Sequence, residues 1–165
     1  MKRVLITGMS GTGKSTVIRA LAARGYKAVD ADEPGWSEFV DDPGQPGISR
    51  SAPGRDWVWR EDRIQELLST ADTDFLFLSG CASNQGKFYP LFDHVVLLSA
   101  PIPLMIERLT RRTTNPYGKD PDELAMVLHF TRTVEPLLRR GASLEVDTSA
   151  PLEQVVETIL AHVRP

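Results

Sequence analysis

Gly8-Met9-Ser10-Gly11-Thr12-Gly13-Lys14-Ser15 decides the reading of this chain, because it matches the spacing G-x-x-x-x-G-K-[ST] at every position. The apolar run Val4-Leu5-Ile6 precedes it, and Val17, Ile18, Leu21 and Ala22 follow at helical spacing. A strand, a glycine-rich turn and a helix in that order make a cradle for an anion. The glycines let backbone N–H groups curl inward, and the helix beginning near Lys14 aims its positive end at the same point. Gly8, Met9, Ser10, Gly11, Thr12, Gly13, Lys14, Ser15 and Thr16 are therefore read as the binding loop for a nucleoside triphosphate. In such loops the lysine reaches the β- and γ-phosphates and the serine hydroxyl ligates Mg²⁺, which assigns those tasks to Lys14 and Ser15.

Outward from this loop, strand-like runs alternate with helical patterns, as in a parallel α/β sheet. The runs are Arg3–Thr7, Tyr26–Asp30, Phe75–Ser79, His94–Ser99 and Ser143–Asp147. The first, third and fourth are solidly apolar at their centres, which suits strands covered on both faces; the second and fifth mix in polar residues and suit edges. Helical spacing marks Ile64, Leu67 and Leu68, then Ile102, Met105, Ile106 and Leu109, then Leu124, Val127, Leu128 and Thr131. Leu152, Val155, Val156, Ile159, Leu160 and Val163 form the clearest amphipathic helix, and Pro136 is expected to kink or end the element before it. The expectation is one α/β domain over residues 1–165. It is a three-layer sandwich with a five-stranded parallel sheet in the order 2-3-1-4-5. Asp41–Asp56 and Thr113–Pro121 are rich in proline and glycine and resist regular structure, as lids and binding loops do. The lid is placed at about 113–121 and an acceptor-side segment at about 33–63.

At 165 residues the chain is long enough for a single core, and 41% hydrophobic with 25% charged residues is ordinary for a globular protein. A net charge of −3 argues against a nucleic-acid-binding face. No run approaches the length of a membrane span. Lys2 and Arg3 lead straight into the first strand, so no signal peptide is read, and the lone Cys81 fits a reducing cytoplasm. His94, His129 and His162 show no metal-ligand spacing with one another or with Cys81.

The class of loop protein turns on the acids. The third strand ends Leu78-Ser79-Gly80-Cys81 without one, whereas the second ends Val29-Asp30-Ala31-Asp32-Glu33. Asp30 and Asp32, two apart, would project to one side if the strand continued that far. One could support the Mg²⁺ shell and the other accept a proton from an attacking hydroxyl. With its phosphate loop followed by V-D-A-D-E, the chain resembles shikimate kinase and gluconate kinase, within the nucleoside-monophosphate-kinase-like family. The resemblance implies that Asp30 and Asp32 contact magnesium and substrate. It offers Arg60, in Trp57-Val58-Trp59-Arg60, for an anionic group on the acceptor, on a helix after the second strand. It also sets Gly80 and Cys81 where the family brings backbone against substrate. Shikimate kinase's glycine triplet and gluconate kinase's lid signature are both absent; Arg111-Arg112-Thr113-Thr114-Asn115-Pro116-Tyr117-Gly118-Lys119 stands in the lid's place.

Arg108, Arg111 and Arg112 lie at the end of the helix carrying Met105 and Leu109. Arg108 and Arg112 are assigned to the nucleotide, Arg112 also to charge neutralisation during transfer. Cations at a helix C-terminus are also favoured by the helix dipole without any ligand. Asn84 is a candidate for reading acceptor groups, or a cap for the following turn. Cys81 reads as a small buried residue, since phosphoryl transfer needs no thiolate. Trp36, Trp57 and Trp59 suit core packing or a pocket wall. The resulting expectation is an ATP- and Mg²⁺-dependent kinase, monomeric or weakly dimeric, in which Lys14, Asp32 and Arg112 are catalytic. Ser15 and Asp30 would hold the metal. Its acceptor is a sugar acid or polyol, a nucleoside or nucleotide, or an antibiotic-like metabolite. The alternative is a nucleotide-binding regulator or slow ATPase.

Overall fold

The opening apolar run becomes strand β1 (Lys2–Thr7), and Val4, Leu5 and Ile6 within it are fully buried. The computed structural model describes residues 1–41 and 55–165. After β1 come α1 (Lys14–Ala23), β2 (Lys27–Asp30), β3 (Ser37–Asp41), β4 (Arg55–Trp59) and α2 (Glu61–Ser69). Then follow β5 (Phe75–Ser79), a 3-10 stretch over Gln85–Leu91, β6 (His94–Ser99) and α3 (Ile102–Arg111). The chain finishes with α4 (Pro121–Thr133), α5 (Glu135–Gly141), β7 (Leu144–Asp147) and α6 (Leu152–Val163).

Five strands form one parallel sheet in the order β2-β5-β1-β6-β7. Counted within that sheet alone, the order is the expected 2-3-1-4-5, with the apolar strands inside and the mixed ones at the edges. The labels depart from that count because β3 and β4 pair separately as an antiparallel ribbon. This ribbon corrects the helical reading of Trp57-Val58-Trp59. Its strands are joined through residues 42–54, so the pairing is non-local, and a pattern read along one segment does not reveal it. The expected irregular loop Asp41–Asp56 therefore has its ends in strands, and its interior lies outside the described residues.

Alternation along the strands sorts the core into two faces. Val4, Ile6, Phe77, Val96 and Leu98 pack with Val17, Leu21, Val156 and Ile159 of α1 and α6. Leu5, Leu76, Leu78 and Val95 meet Ile64 and Leu68 of α2 and the buried Trp59 of the ribbon. Leu97 meets Met105, Leu109, Val127 and Phe130 of α3 and α4. The result is the expected three layers. Between α4 and α5 the chain breaks at Val134, and Pro136 sits in the first turn of α5, where its missing N–H costs no hydrogen bond. Among the described residues no helix is long and apolar enough to cross a membrane.

Candidate functional site

β1 delivers the glycine-rich loop to the carboxyl edge of the sheet, and tight packing holds it there. A Cβ on Gly8 would lie 2.5 Å from the Leu98 carbonyl oxygen, so β6 leaves no room for any other residue. Thr12 closes the loop on itself through Oγ1 to the Met9 carbonyl at 2.7 Å. Gly13 is the N-cap of α1 and supplies no side-chain cap. The N–H groups of Lys14, Ser15 and Thr16 therefore have no acceptor inside the helix and face outward as anion donors. Lys14, 9% exposed, donates from Nζ to the carbonyls of Gly8 at 2.7 Å and Met9 at 3.0 Å. Its ammonium is thus held over the loop's mouth.

Ser15 Oγ donates to Asp30 Oδ2 at 2.6 Å. Asp30 Oδ1 accepts from the Asp32 backbone N–H at 3.0 Å. β2 ends at Asp30, so the expected strand alternation does not extend to Asp32; the turn that Asp30 closes places Asp32 instead. Asp32 nevertheless lines the same cleft as Lys14 and Ser15. A hydroxyl beside a carboxylate is a hard-oxygen donor set, which fits magnesium. Among the described residues there is no cluster of three histidine, cysteine, aspartate or glutamate side chains able to hold a metal. A cation here would therefore draw its other ligands from phosphate and water.

The cleft measures about 450 Å³ and runs from Ser10 and Lys14 past Arg108, Arg111 and Arg112 to Ala150, Leu152 and Val155. The three arginines predicted to gather do gather, but with different attachments. Arg108 is committed to the protein: it donates to Thr148 Oγ1 at 2.8 Å, the Thr148 carbonyl at 2.6 Å and the Gly11 carbonyl at 3.3 Å. Burial lowers its pKa, with Asp147 and Glu107 opposing. Arg111 pairs with Glu107 at 2.8 Å. Arg112 caps α3 and donates to the Tyr117 carbonyl. Sequence reasoning missed the part of Thr148, which donates to the Thr12 carbonyl at 2.7 Å and so ties the β7–α6 connection to the loop. Arg19, one helical turn past Thr16, also lines the cleft and was missed. Spacing of three on α1 was the available signal.

The residues predicted for an acceptor are placed less directly. Arg60 is the N-cap of α2 and follows a strand instead of standing on a helix. Gly80 is buried against the Trp59 indole. Cys81 is buried too; burial pushes its thiol up to about 11, with Lys14 lowering it and Asp32 raising it. That agrees with its reading as a packing residue. Asn84 stands at the N-cap of the 3-10 stretch but makes no side-chain cap bond, and its amide is engaged elsewhere. Its Oδ1 accepts from Trp59 N–H at 3.0 Å and its Nδ2 donates to the Trp59 carbonyl at 2.9 Å, clamping the end of β4.

A family model described as AAA domain matches residues 4–129 of the chain. No curated protein matches it. Among solved structures, the chain is similar to the shikimate kinase of Acinetobacter baumannii in complex with shikimate, with 17% identity and a TM-score of 0.63 over 98% of this chain and 94% of that one. A gluconokinase from Sinorhizobium meliloti gives 19% and 0.59 over 98% and 91%. A sugar kinase from a Janibacter species gives 20% and 0.56 over 100% and 96%. At such identities the likeness is one of fold.

Proposed function

Because the chain belongs to the AAA-domain family, we propose that it is an ATP-dependent phosphotransferase that moves the γ-phosphoryl group to a hydroxyl of a small molecule. The observation that carries this reading is the Ser15–Asp30 bond beside Lys14, with Asp32 on the same cleft. A nucleotide switch needs the first three; a second carboxylate lining the same cleft suits transfer. The fold shared with shikimate kinase and gluconokinase supports the same class.

In this reading the N–H groups opening α1 and the Lys14 ammonium hold the β- and γ-phosphates. Ser15 and Asp30 would hold Mg²⁺, which when bound neutralises phosphate charge. Asp32 accepts the proton of the attacking hydroxyl as its oxygen bonds to the γ-phosphorus and the bond to the leaving ADP oxygen breaks. Arg112 offsets charge on the equatorial oxygens, while Arg108 and Thr148 keep the loop in register. Arg60, Gly80 and Cys81 border the acceptor. The test is a thermal-shift screen of metabolites with a non-hydrolysable ATP analogue and Mg²⁺, followed by product detection. Lys14→Ala should abolish transfer and weaken nucleotide binding with the fold intact. Turnover within tenfold of wild type would sink the assignment.

A further inference from the structure

One buried charged group has no part in the nucleotide cleft. Asp56 on β4 is 6% exposed. Its Oδ2 accepts from Ser83 Oγ, while Oδ1 is buried with no hydrogen-bond partner among the described residues. A hydroxyl alone is poor compensation for a buried carboxylate, whose remaining lone pairs call for a donor. The ribbon is held firmly enough to make this placement deliberate: Asn84 clamps Trp59, and Ser37 Oγ donates to the Ala31 carbonyl at 2.5 Å. The surroundings point to what that donor is. Ser83 lies in the short segment between β5 and the 3-10 stretch, at the carboxyl edge of the sheet, where open α/β folds bind ligands. β5 runs parallel to β1, so this segment leaves the sheet at the same edge as the phosphate loop. Asp56 is thus joined through Ser83 to the edge of the sheet that carries the phosphate loop.

We propose that Asp56 Oδ1 receives an O–H or N–H of the acceptor, so that the acceptor carries a second donor besides the hydroxyl that takes the phosphoryl group. Polyols and amino sugars have such a donor; a simple monohydroxy acid does not. This inference rests on the phosphotransferase reading and deepens it by naming the acceptor class. Asparagine at 56 keeps the size and still accepts from Ser83, but it loses the charge that makes the bond to a ligand strong.

The test uses the full chain with Mg²⁺ and ATP, with D-glucose, D-glucosamine, D-gluconate and glycolate as probes and ADP release as the readout. Wild type should respond to at least one of the first three and not to glycolate. Asp56→Asn should raise the apparent KM for that probe about tenfold or more while the KM for ATP moves less than about twofold. Its melting temperature should not fall. Preference for glucosamine over glucose identifies an ammonium as the donor, and equal response identifies a hydroxyl. The proposal is overturned by a probe KM indifferent to Asp56→Asn, by a drop in melting temperature without a selective loss of the probe, or by no response to any of the three. If wild type binds ATP no better than Lys14→Ala does, the phosphotransferase reading fails instead.

Discussion

Asp30 and Asp32 are chemically identical and two residues apart, yet their surroundings differ. Asp30 has both oxygens engaged, one by the Ser15 hydroxyl and one by the Asp32 backbone. It is a fixed structural acceptor suited to steadying a cation. Asp32 lines the cleft with Lys14. Asp32→Asn is therefore expected to lower kcat about 10²-fold or more with a smaller change in the KM for ATP, the scale of losing a general base. Steady-state kinetics with an identified acceptor measures this, and normal kcat would make Asp32 a bystander. Thr148 offers a second residue-scale test. Thr148→Val keeps the shape and removes the donor to Thr12 and the acceptor for Arg108. Weaker nucleotide binding, read by calorimetry, is expected with little change in melting temperature, because the lost bonds position the loop and do not build the core.

At the scale of elements, the segment following α3 divides into an anchored part and a looser part. Gly118 is buried, donates its N–H to Glu123 Oε2 at 2.9 Å, and has φ +91. A Cβ there would meet Leu109 Cδ2 at 3.0 Å. Arg112 and Asn115 hold Tyr117 through its carbonyl and its N–H. α4 begins at Pro121, with Asp120 as its cap, so the lid expected over Thr113–Pro121 ends a residue earlier. Lid motion on closure is expected in Thr113–Pro116, while the Gly118 amide stays protected with or without ligand. Hydrogen exchange with and without an ATP analogue plus acceptor separates the two; uniform exchange across the segment would refute the division. Gly118→Ala should cost about 1–3 kcal/mol of stability through its left-handed backbone and the contact with Leu109. A urea midpoint equal to wild type would count against that anchoring. Arg112→Ala should reduce kcat more than ATP affinity if its contacts with phosphate form on closure.

For the molecule as a whole, the pH response follows from two histidines where β6 meets α6. The His94 and His162 rings stand edge to face with centroids 5.2 Å apart, and Ser143 Oγ lies 3.2 Å from His162 Nε2. Burial, then His162, then Lys2 hold His94 below the ordinary histidine range, with Asp93 opposing. The unfolded chain therefore takes up this proton first as pH falls. The stability contribution is intact above the ordinary histidine value and is lost as pH drops through it toward the folded value. Urea midpoints should fall from pH 7.5 to 5.5, and His94→Phe, which keeps a ring against His162, should flatten that slope. An unchanged slope in the variant would assign the pH response to other groups.

How much of this was legible in the chain itself differs by element. The phosphate loop, the three central strands, the two edges and α6 were readable because each depends on a local pattern: fixed spacing, unbroken apolarity or a 3.6-residue period. Those patterns determined the layer order, since alternation along β1 and β5 assigns each side chain to a face before any partner is known. Lys14, Ser15, Asp32 and the arginines of α3, singled out in the sequence, line one cleft, and Asp30 reaches it through Ser15. The ribbon of β3 and β4, the double attachment of Arg108, the clamp made by Asn84 and the isolation of Asp56 Oδ1 were decided by tertiary structure alone. Each depends on which atoms from distant segments meet, and a hydrogen-bond partner 25 or 40 residues away leaves no mark on local periodicity.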